Sequence, residues 1–320
     1  MQNGAGSVIA QGLGKKYGEL WALRDVDLHV PSGTVLGLLG HNGAGKTTTL
    51  RILTTLATPT TGRASVAGFD VVTEAARVRE RIGLTAQQAT VDGLMTARAN
   101  LQMIARLYHM PRAEAKARAD ELLERLGIAD AADRLVKTFS GGMRRRLDLA
   151  ASIVASPPVL FLDEPTTGLD PQSRNDLWTL LRELVKDGAT VVLTTQYLEE
   201  ADQMADDIVL LDRGRVTAHG TPAELKALIG GARIVITLAD ATDLARAESA
   251  MQPFTEGAAS TAADTAQISA PLRGNVRLIE IVRALDGAGI DALDVHRREP
   301  TLDDVFLTLT GAPGATESGE

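Results

Sequence analysis

The chain is 320 residues long with 44% hydrophobic residues, enough to bury the cores of one large and one small domain. Its 33 Lys and Arg against 41 Asp and Glu leave a net charge of −8, which argues against a broad sequence-independent nucleic-acid surface and leaves room for a local basic patch. The absence of cysteine excludes disulfides, thiolate metal sites and a cysteine nucleophile, and leaves the redox compartment open.

Met1 to Gly6 has no basic segment leading into an apolar one, and no later run approaches the roughly 20 apolar residues of a spanning helix. The expectation is a chain neither exported by a leader nor crossing a membrane. Tyr17 stands between turn residues in Gly14-Lys15-Lys16-Tyr17-Gly18, in a chain with 3% aromatics. It could stack on a purine base or be an ordinary, partly buried surface tyrosine. Val26, Leu28 and Val30 alternate with Asp25, Asp27 and His29, the period of a half-buried antiparallel strand. Pro31-Ser32-Gly33 then turns the chain into an apolar run, Val35 to Leu39, that reads as a buried strand.

That strand opens directly into Gly40-His41-Asn42-Gly43-Ala44-Gly45-Lys46-Thr47-Thr48, which fits G-x-x-x-x-G-K-[ST] at every fixed position. A helix follows from about Thr49. Strand, glycine loop and helix in this order are the context of a phosphate-binding loop. Glycines let backbone N–H groups turn inward around a polyphosphate, the helix N-terminus adds partial positive charge, and Lys46 adds a full one. Thr47 would place a hydroxyl on Mg²⁺.

From Thr96 to about Leu126 the pattern is helical, with Leu101, Ile104, Ala105 and Tyr108 on one face and Met110-Pro111 closing the first helix. A charged helix runs from Arg112 to Leu126. These read as a helical insertion in an α/β domain. After Phe139-Ser140-Gly141-Gly142-Met143 a helix is expected from near Arg144, then a buried strand, Val159 to Leu162, ending in Asp163-Glu164. Carboxylates at the carboxyl end of a parallel strand are where α/β sheets place ligand chemistry. Asp163 can hold Mg²⁺, and Glu164 is placed to polarise an attacking water. A strand at Thr190 to Leu193, a helix burying Leu198, Ala201 and Ala205, and a strand at Ile208 to Leu211 follow.

Beyond Gly220 a short helix starts at Pro222 and Gly230-Gly231 reads as a linker. A strand at Arg233 to Leu238 precedes a low-complexity loop from Phe254 to Gln267. A helix then shows Leu278, Ile281, Val282 and Leu285 on one face, followed by a strand from Ile290 to Val295. The last helix has Thr301 as N-cap, Asp304 three residues on, and Leu302, Val305, Phe306 and Leu309 to bury. The tail from Gly311 is expected to be disordered.

Adding Ser140-Gly141-Gly142 and Leu160-Phe161-Leu162-Asp163-Glu164 to the phosphate loop, the chain resembles the ATP-binding-cassette ATPases over about residues 7–220. The implied fold is a P-loop NTPase domain with a mixed sheet, an antiparallel β subdomain and a helical subdomain at about 88–155. A smaller α/β domain at about 232–310, associated with assembly and regulation, and a tail at 311–320 complete the chain. By this resemblance Tyr17 stacks on adenine, and Gln87 senses Mg²⁺, the lytic water and the transporter. Ser140, Gly141, Gly142 and Met143 form a signature that completes the ATP site of a second, head-to-tail copy. Asp170 communicates between the sites, and Gln196 takes the place of the usual switch histidine. Glutamine can still donate to a γ-phosphate oxygen but cannot carry charge, so ATP binding with modest, weakly pH-dependent hydrolysis is expected.

The segments Thr195 to Asp202, Phe139 to Arg146 and Leu302 to Leu307 resemble the daunorubicin-resistance group of drug-export ATPases. That resemblance implies ATP and Mg²⁺ as cofactors, a second copy and a separate multi-spanning permease as partners, and a peripheral position on the cytoplasmic face of the cell membrane. No nucleic acid is expected. Met143 replaces the usual glutamine, Ala99 replaces a glutamate before Asn100-Leu101, and Asp304 replaces a glutamate of the closing motif. A ribosome- or DNA-directed cassette and a weakly catalytic regulator are the competing readings.

Overall fold

β1 (Val8–Tyr17) and β2 (Leu20–Val30) form an antiparallel pair, with Val26, Leu28 and Val30 buried and the intervening acids and His29 exposed, as their alternation predicts. The computed structural model describes residues 7–85, 91–229, 231–257, 259–274 and 276–310, in two units that divide after Pro222. Gln87, the Gly230 end of the expected linker and the tail from Gly311 lie outside the described residues.

After Gly33 (φ +74°) the chain enters β3 (Val35–Leu39), buried along its whole length, and then α1 (Lys46–Leu53). β4 (Thr61–Val66) and β5 (Phe69–Asp70) extend the antiparallel sheet to the order β2-β1-β4-β5. α2 (Ala75–Arg79) leads to β6 (Ile82–Thr85). The helical insertion contains α3 (Ala97–Leu107) and α4 (Arg112–Arg125). Thr96 caps α3, accepting from Ala99 N–H at 3.1 Å. Leu101 and Ala105 are buried, whereas Tyr108 is 37% exposed because the helix ends there and its phase is lost.

α5 (Gly141–Ile153) starts at Gly141, ahead of the expected Arg144, because the Ser140 hydroxyl accepts the Met143 N–H at 3.3 Å and caps a turn containing two glycines. β7 (Val159–Asp163), α6 (Pro171–Lys186), β8 (Thr190–Thr195), α7 (Leu198–Met204), β9 (Asp207–Asp212) and β10 (Arg215–Gly220) complete the unit. In α7 Leu198 is only partly buried and Met204 fills the core beside Ala201. The second sheet runs β10-β9-β3-β8-β7-β6, parallel except for the β9/β10 hairpin. Strands covered on both faces read as continuous apolar runs, which is how β3, β7 and β8 appear in the sequence. Each fully buried Leu or Phe there contributes about 1.5–3 kcal/mol.

α8 (Pro222–Ala227) is followed by β11 (Arg233–Leu238), α9 (Leu244–Met251), β12 (Ser260–Ala262), β13 (Gln267–Pro271), α10 (Leu278–Gly287), β14 (Ala292–Arg298) and α11 (Leu302–Thr310). The strand order β12-β13-β11-β14, antiparallel throughout, with two crossover helices, is a ferredoxin-like split βαβ arrangement. Ile234, Ile236, Ile268, Met251, Ile281 and Leu285 build its core.

Here the structure corrects several expectations. The Phe254 to Gln267 segment contains the edge strand β12, whose three exposed residues carry no apolar signal. α10 buries Ile281 and Leu285 while Leu278 and Val282 are 37% and 41% exposed, since its resting edge on the sheet is narrower than its apolar stripe. Pairing with β11 fixes β14 at Ala292–Arg298, and Ile290 is buried just before it. In α11 Thr301 and Asp304 cap each other, with Thr301 N–H to Asp304 Oδ2 at 2.9 Å and Asp304 N–H to Thr301 Oγ1 at 3.2 Å. Leu302 and Val305 are buried, but Leu309 is 39% exposed.

Candidate nucleotide site

Register brings three chain exits to one carboxyl edge of the parallel sheet. Leu39 pairs with Thr195, and Asp163 with Thr194, so the loop after β3, the Glu164 turn after β7 and the Gln196 turn after β8 leave side by side. The glycine loop needs its glycines at defined points. Gly40 (φ +151°) would put a Cβ 2.3 Å from the Leu211 carbonyl oxygen, and Gly45 (φ +113°) would put one 2.6 Å from Leu23 Cδ2. Lys46 is 5% exposed, and its Nζ donates to the carbonyls of Gly40 at 2.6 Å and His41 at 3.2 Å. Burial pulls this ammonium below the usual lysine range, against the opposing pull of Glu164 and Asp163. His41 Nε2 lies 2.7 Å from Asp212 Oδ1, tying the loop to the β9/β10 hairpin.

A cleft of about 310 Å³ is lined by Tyr17, His41, Asn42, Gly43, Gly45, Lys46, Thr47, Thr48 and Glu164, together with Ala22. Tyr17 is 47% exposed at the cleft, with Lys15 Nζ 5.0 Å from its ring centre. Gly40 and the fully buried Ala44 do not line the cleft among the described residues. Asp163, 7% exposed, accepts from Thr194 Oγ1 at 2.6 Å and from Thr47 Oγ1 at 3.4 Å. A carboxylate meeting a hydroxyl at a phosphate cradle is the hard-oxygen donor set that suits Mg²⁺. Among the described residues no cluster of three or more His, Cys, Asp or Glu could hold a metal on its own.

Glu164 adopts φ +49°, a sparsely populated conformation for a residue with a side chain. Its N–H reaches both Thr194 O at 3.1 Å and Thr194 Oγ1 at 3.0 Å. Gln196, just past β8, is exposed. Ser140 to Met143 start α5, and Asp170 caps α6, accepting from Ser173 N–H at 2.9 Å and Ser173 Oγ at 2.7 Å. These hydrogen bonds hold the Asp170 carboxyl below the usual range. Among the described residues, the signature, Asp170 and Gln196 do not line the cleft.

Sequence reasoning missed Thr194, which donates to the Asp163 carboxylate and accepts the Glu164 backbone N–H, and Arg145, whose guanidinium grips the carbonyls of the Glu164 turn. It also missed Glu200, which is 4% exposed and accepts from Thr166 Oγ1 at 2.7 Å and Thr195 Oγ1 at 3.1 Å, with Arg174 Nε 3.4 Å away. Thr194 and Thr195 were legible as hydroxyls ending an apolar strand. Arg145 was hidden inside a run of three arginines that reads as a solvated face.

The family described as ABC transporter matches residues 23–167. Over nearly its whole length the chain is similar to curated proteins. It is 53% identical to the daunorubicin resistance ATP-binding protein DrrA3 of Streptomyces coeruleorubidus, covering 95% of this chain and 96% of that protein. It is 46% identical to the daunorubicin/doxorubicin resistance ATP-binding protein DrrA of Streptomyces peucetius, covering 98% and 95%. It is 38% identical to the Nod factor export ATP-binding protein I of Ralstonia nicotianae, covering 94% and 92%. Among solved structures, an ATP-binding subunit of an ABC transporter aligns at TM-score 0.64 and 28% identity over 69% of this chain and 92% of that one. A dimeric post-hydrolysis ATP-binding cassette bound to ADP and Pi aligns at TM-score 0.62 and 28% identity, over 67% and 98%. The chain belongs to the ATP-binding-cassette transporter family, as an ATP-binding, ATP-hydrolysing subunit of the daunorubicin-resistance group.

Proposed function

We propose that this ATPase drives an exporter: two copies meet head to tail, close on ATP, and reset a separate membrane permease when hydrolysis lets them part. The observation that carries the reading is the shared carboxyl edge, where Lys46 after β3 and Glu164 after β7 line one cleft and Asp163 sits 3.4 Å from Thr47 at its wall. In this reading the loop from Gly40 to Thr48 and the Lys46 ammonium hold the phosphates, and Tyr17 stacks on the base. Thr47 and Asp163 would hold Mg²⁺, joined by Gln87, which lies outside the described residues. The ion supplies charge neutralisation on the phosphate oxygens. Glu164 accepts the proton of the attacking water, and Gln196 donates to the γ-phosphate.

The signature at Ser140 to Met143 serves the second copy, with Asp170 at the seam between them. A serine hydroxyl and glycine amides at a helix start are suited to clamp a phosphate. Among the described residues no helix is long and apolar enough to cross a membrane, so the reading requires docking on another chain at the cytoplasmic face. The relatives' names concern daunorubicin and doxorubicin resistance and Nod factor export. Brought to this chain, they make a drug, antibiotic or lipid-like compound the cargo. The N- and C-terminal units would then be the engine, at about 7–220, and an assembly or regulatory module, at about 232–310.

The test is ATP-dependent uptake of daunorubicin into inverted membrane vesicles containing the chain and its co-purifying membrane protein. Uptake abolished by Glu164→Gln supports the exporter. Sedimentation of the chain with ribosomes, and no membrane retention, would replace that reading with the ribosomal one.

A further inference from the structure

The three arginines after Met143 leave α5 in three directions. Arg144 donates to the Val136 carbonyl at 3.3 Å, and Arg146 pairs with Asp176 at 2.6 Å. Arg145 turns toward the end of β7, donating to the carbonyls of Asp163 at 3.1 Å, Glu164 at 2.9 Å and Pro165 at 2.7 Å. A planar guanidinium can serve several carbonyls that fan out from one turn, which a compact ammonium does less well.

The gripped turn is the one in which Glu164 holds φ +49°. Such a conformation persists only when its surroundings over-determine it. Here Thr194 takes the Glu164 N–H from one side and Arg145 takes its carbonyl from the other. Both backbone polar groups of Glu164 are therefore fixed, and with them the direction of its Cα–Cβ bond. The cost of burying the guanidinium is opposed by Asp148, Asp163 and Glu164 around it, which keeps the cation in place.

We propose that Arg145 is a positioning residue for hydrolysis: by locking the carbonyls of the Asp163-Glu164-Pro165 turn it aims the Glu164 carboxylate at the water. The proposal rests on the reading of Glu164 as the proton acceptor. Because Arg145 acts through that turn and not through the phosphate loop, it governs turnover and leaves nucleotide binding to Lys46 and its glycines.

The experiment compares the full chain with Arg145→Ala, Arg145→Lys, Glu164→Gln and the Arg145→Ala/Glu164→Gln double variant, following phosphate release against ATP concentration and binding of a fluorescent ATP analogue. For Arg145→Ala the expected result is a kcat lowered about tenfold or more, with KM and analogue affinity within about twofold of the parent, since a misaimed base costs rate and not binding. Arg145→Lys should recover part of that loss. The double variant should be no slower than Glu164→Gln, because both changes remove the same contribution. An unchanged kcat in Arg145→Ala, a joint loss of affinity and melting temperature, or multiplicative losses in the double variant would overturn the role of Arg145. Parent hydrolysis that Glu164→Gln leaves intact would instead overturn the reading of Glu164 itself.

Discussion

Lys46 Nζ sits 2.6 Å from the carbonyl oxygen of Gly40, so the loop closes on its own ammonium. The same group is the loop's full positive charge for a polyphosphate. Lys46→Ala removes both. Charge-assisted hydrogen bonds contribute about 1.5–3 kcal/mol, so the Kd for ATP should rise by roughly 10- to 100-fold. Titration with a fluorescent ATP analogue measures it, and an unchanged Kd would remove Lys46 from the site.

Glu164→Gln keeps the shape of the side chain and removes its basicity. Phosphate release should fall by roughly 10²- to 10⁴-fold, the usual weight of a positioned general base, while ATP affinity holds. Single-turnover quench experiments separate the two quantities.

Gln196 cannot ionise, so the parent rate should vary little between pH 6 and 8 on its account. Gln196→Ala should slow hydrolysis with binding largely kept; hydrolysis at the parent rate would remove the switch role. Gln196→His should introduce an inflection in kcat near the ordinary histidine value of about 6.5. A flat profile in the histidine variant would place residue 196 outside the reaction.

If each ATP site takes its loop from one copy and its signature from another, two inactive variants should rescue each other. Mixing equal amounts of Lys46→Ala and Ser140→Ala chains leaves mixed dimers with one intact site. Random pairing then restores up to about a quarter of the parent rate, as two composite sites in a two-fold dimer require. No recovery on mixing, followed by phosphate release, would count against the head-to-tail pair.

Burial pushes the Glu200 carboxyl above the usual glutamate range, against the opposing effects of Thr166, Thr195 and Arg174. A raised folded value means the folded chain binds the proton more tightly than the unfolded chain. That stabilising contribution is complete below the unfolded value of about 4.3 and is lost as pH rises through the folded value. The parent should therefore lose stability relative to Glu200→Gln as pH rises from about 4.5 toward neutrality. Urea midpoints of the two proteins across that range test the sign.

The sequence made the cleft legible because its parts are backbone events. A glycine loop between a buried strand and a helix, and acids at a strand end, are local patterns with local causes. What it concealed depends on phase or on distance. α6 carries readable signals, Asp170 as cap, Pro171 behind it and Leu177, Leu180, Leu181 and Leu184 on one face. The buried face of α10 turned out narrower than its stripe, because period does not fix phase. Arg145 acquires its partners from a segment 18 to 20 residues away, and Glu200 takes Thr166 from 34 residues away, which no spacing rule connects.

A Cβ at Gly142 would stand 2.9 Å from Ser173 Oγ, so a side chain there must displace the Ser173 hydroxyl from its bond to Asp170. The starts of α5 and α6 thereby meet at the Ser173 side chain. On the proposed head-to-tail reading, a second copy engaging Ser140 would meet Asp170 in a set register, as two teeth of one key. On that reading, fitting a different cassette would mean recutting both helix starts together, and a methyl at 142 would push on the Ser173 hydroxyl that braces Asp170.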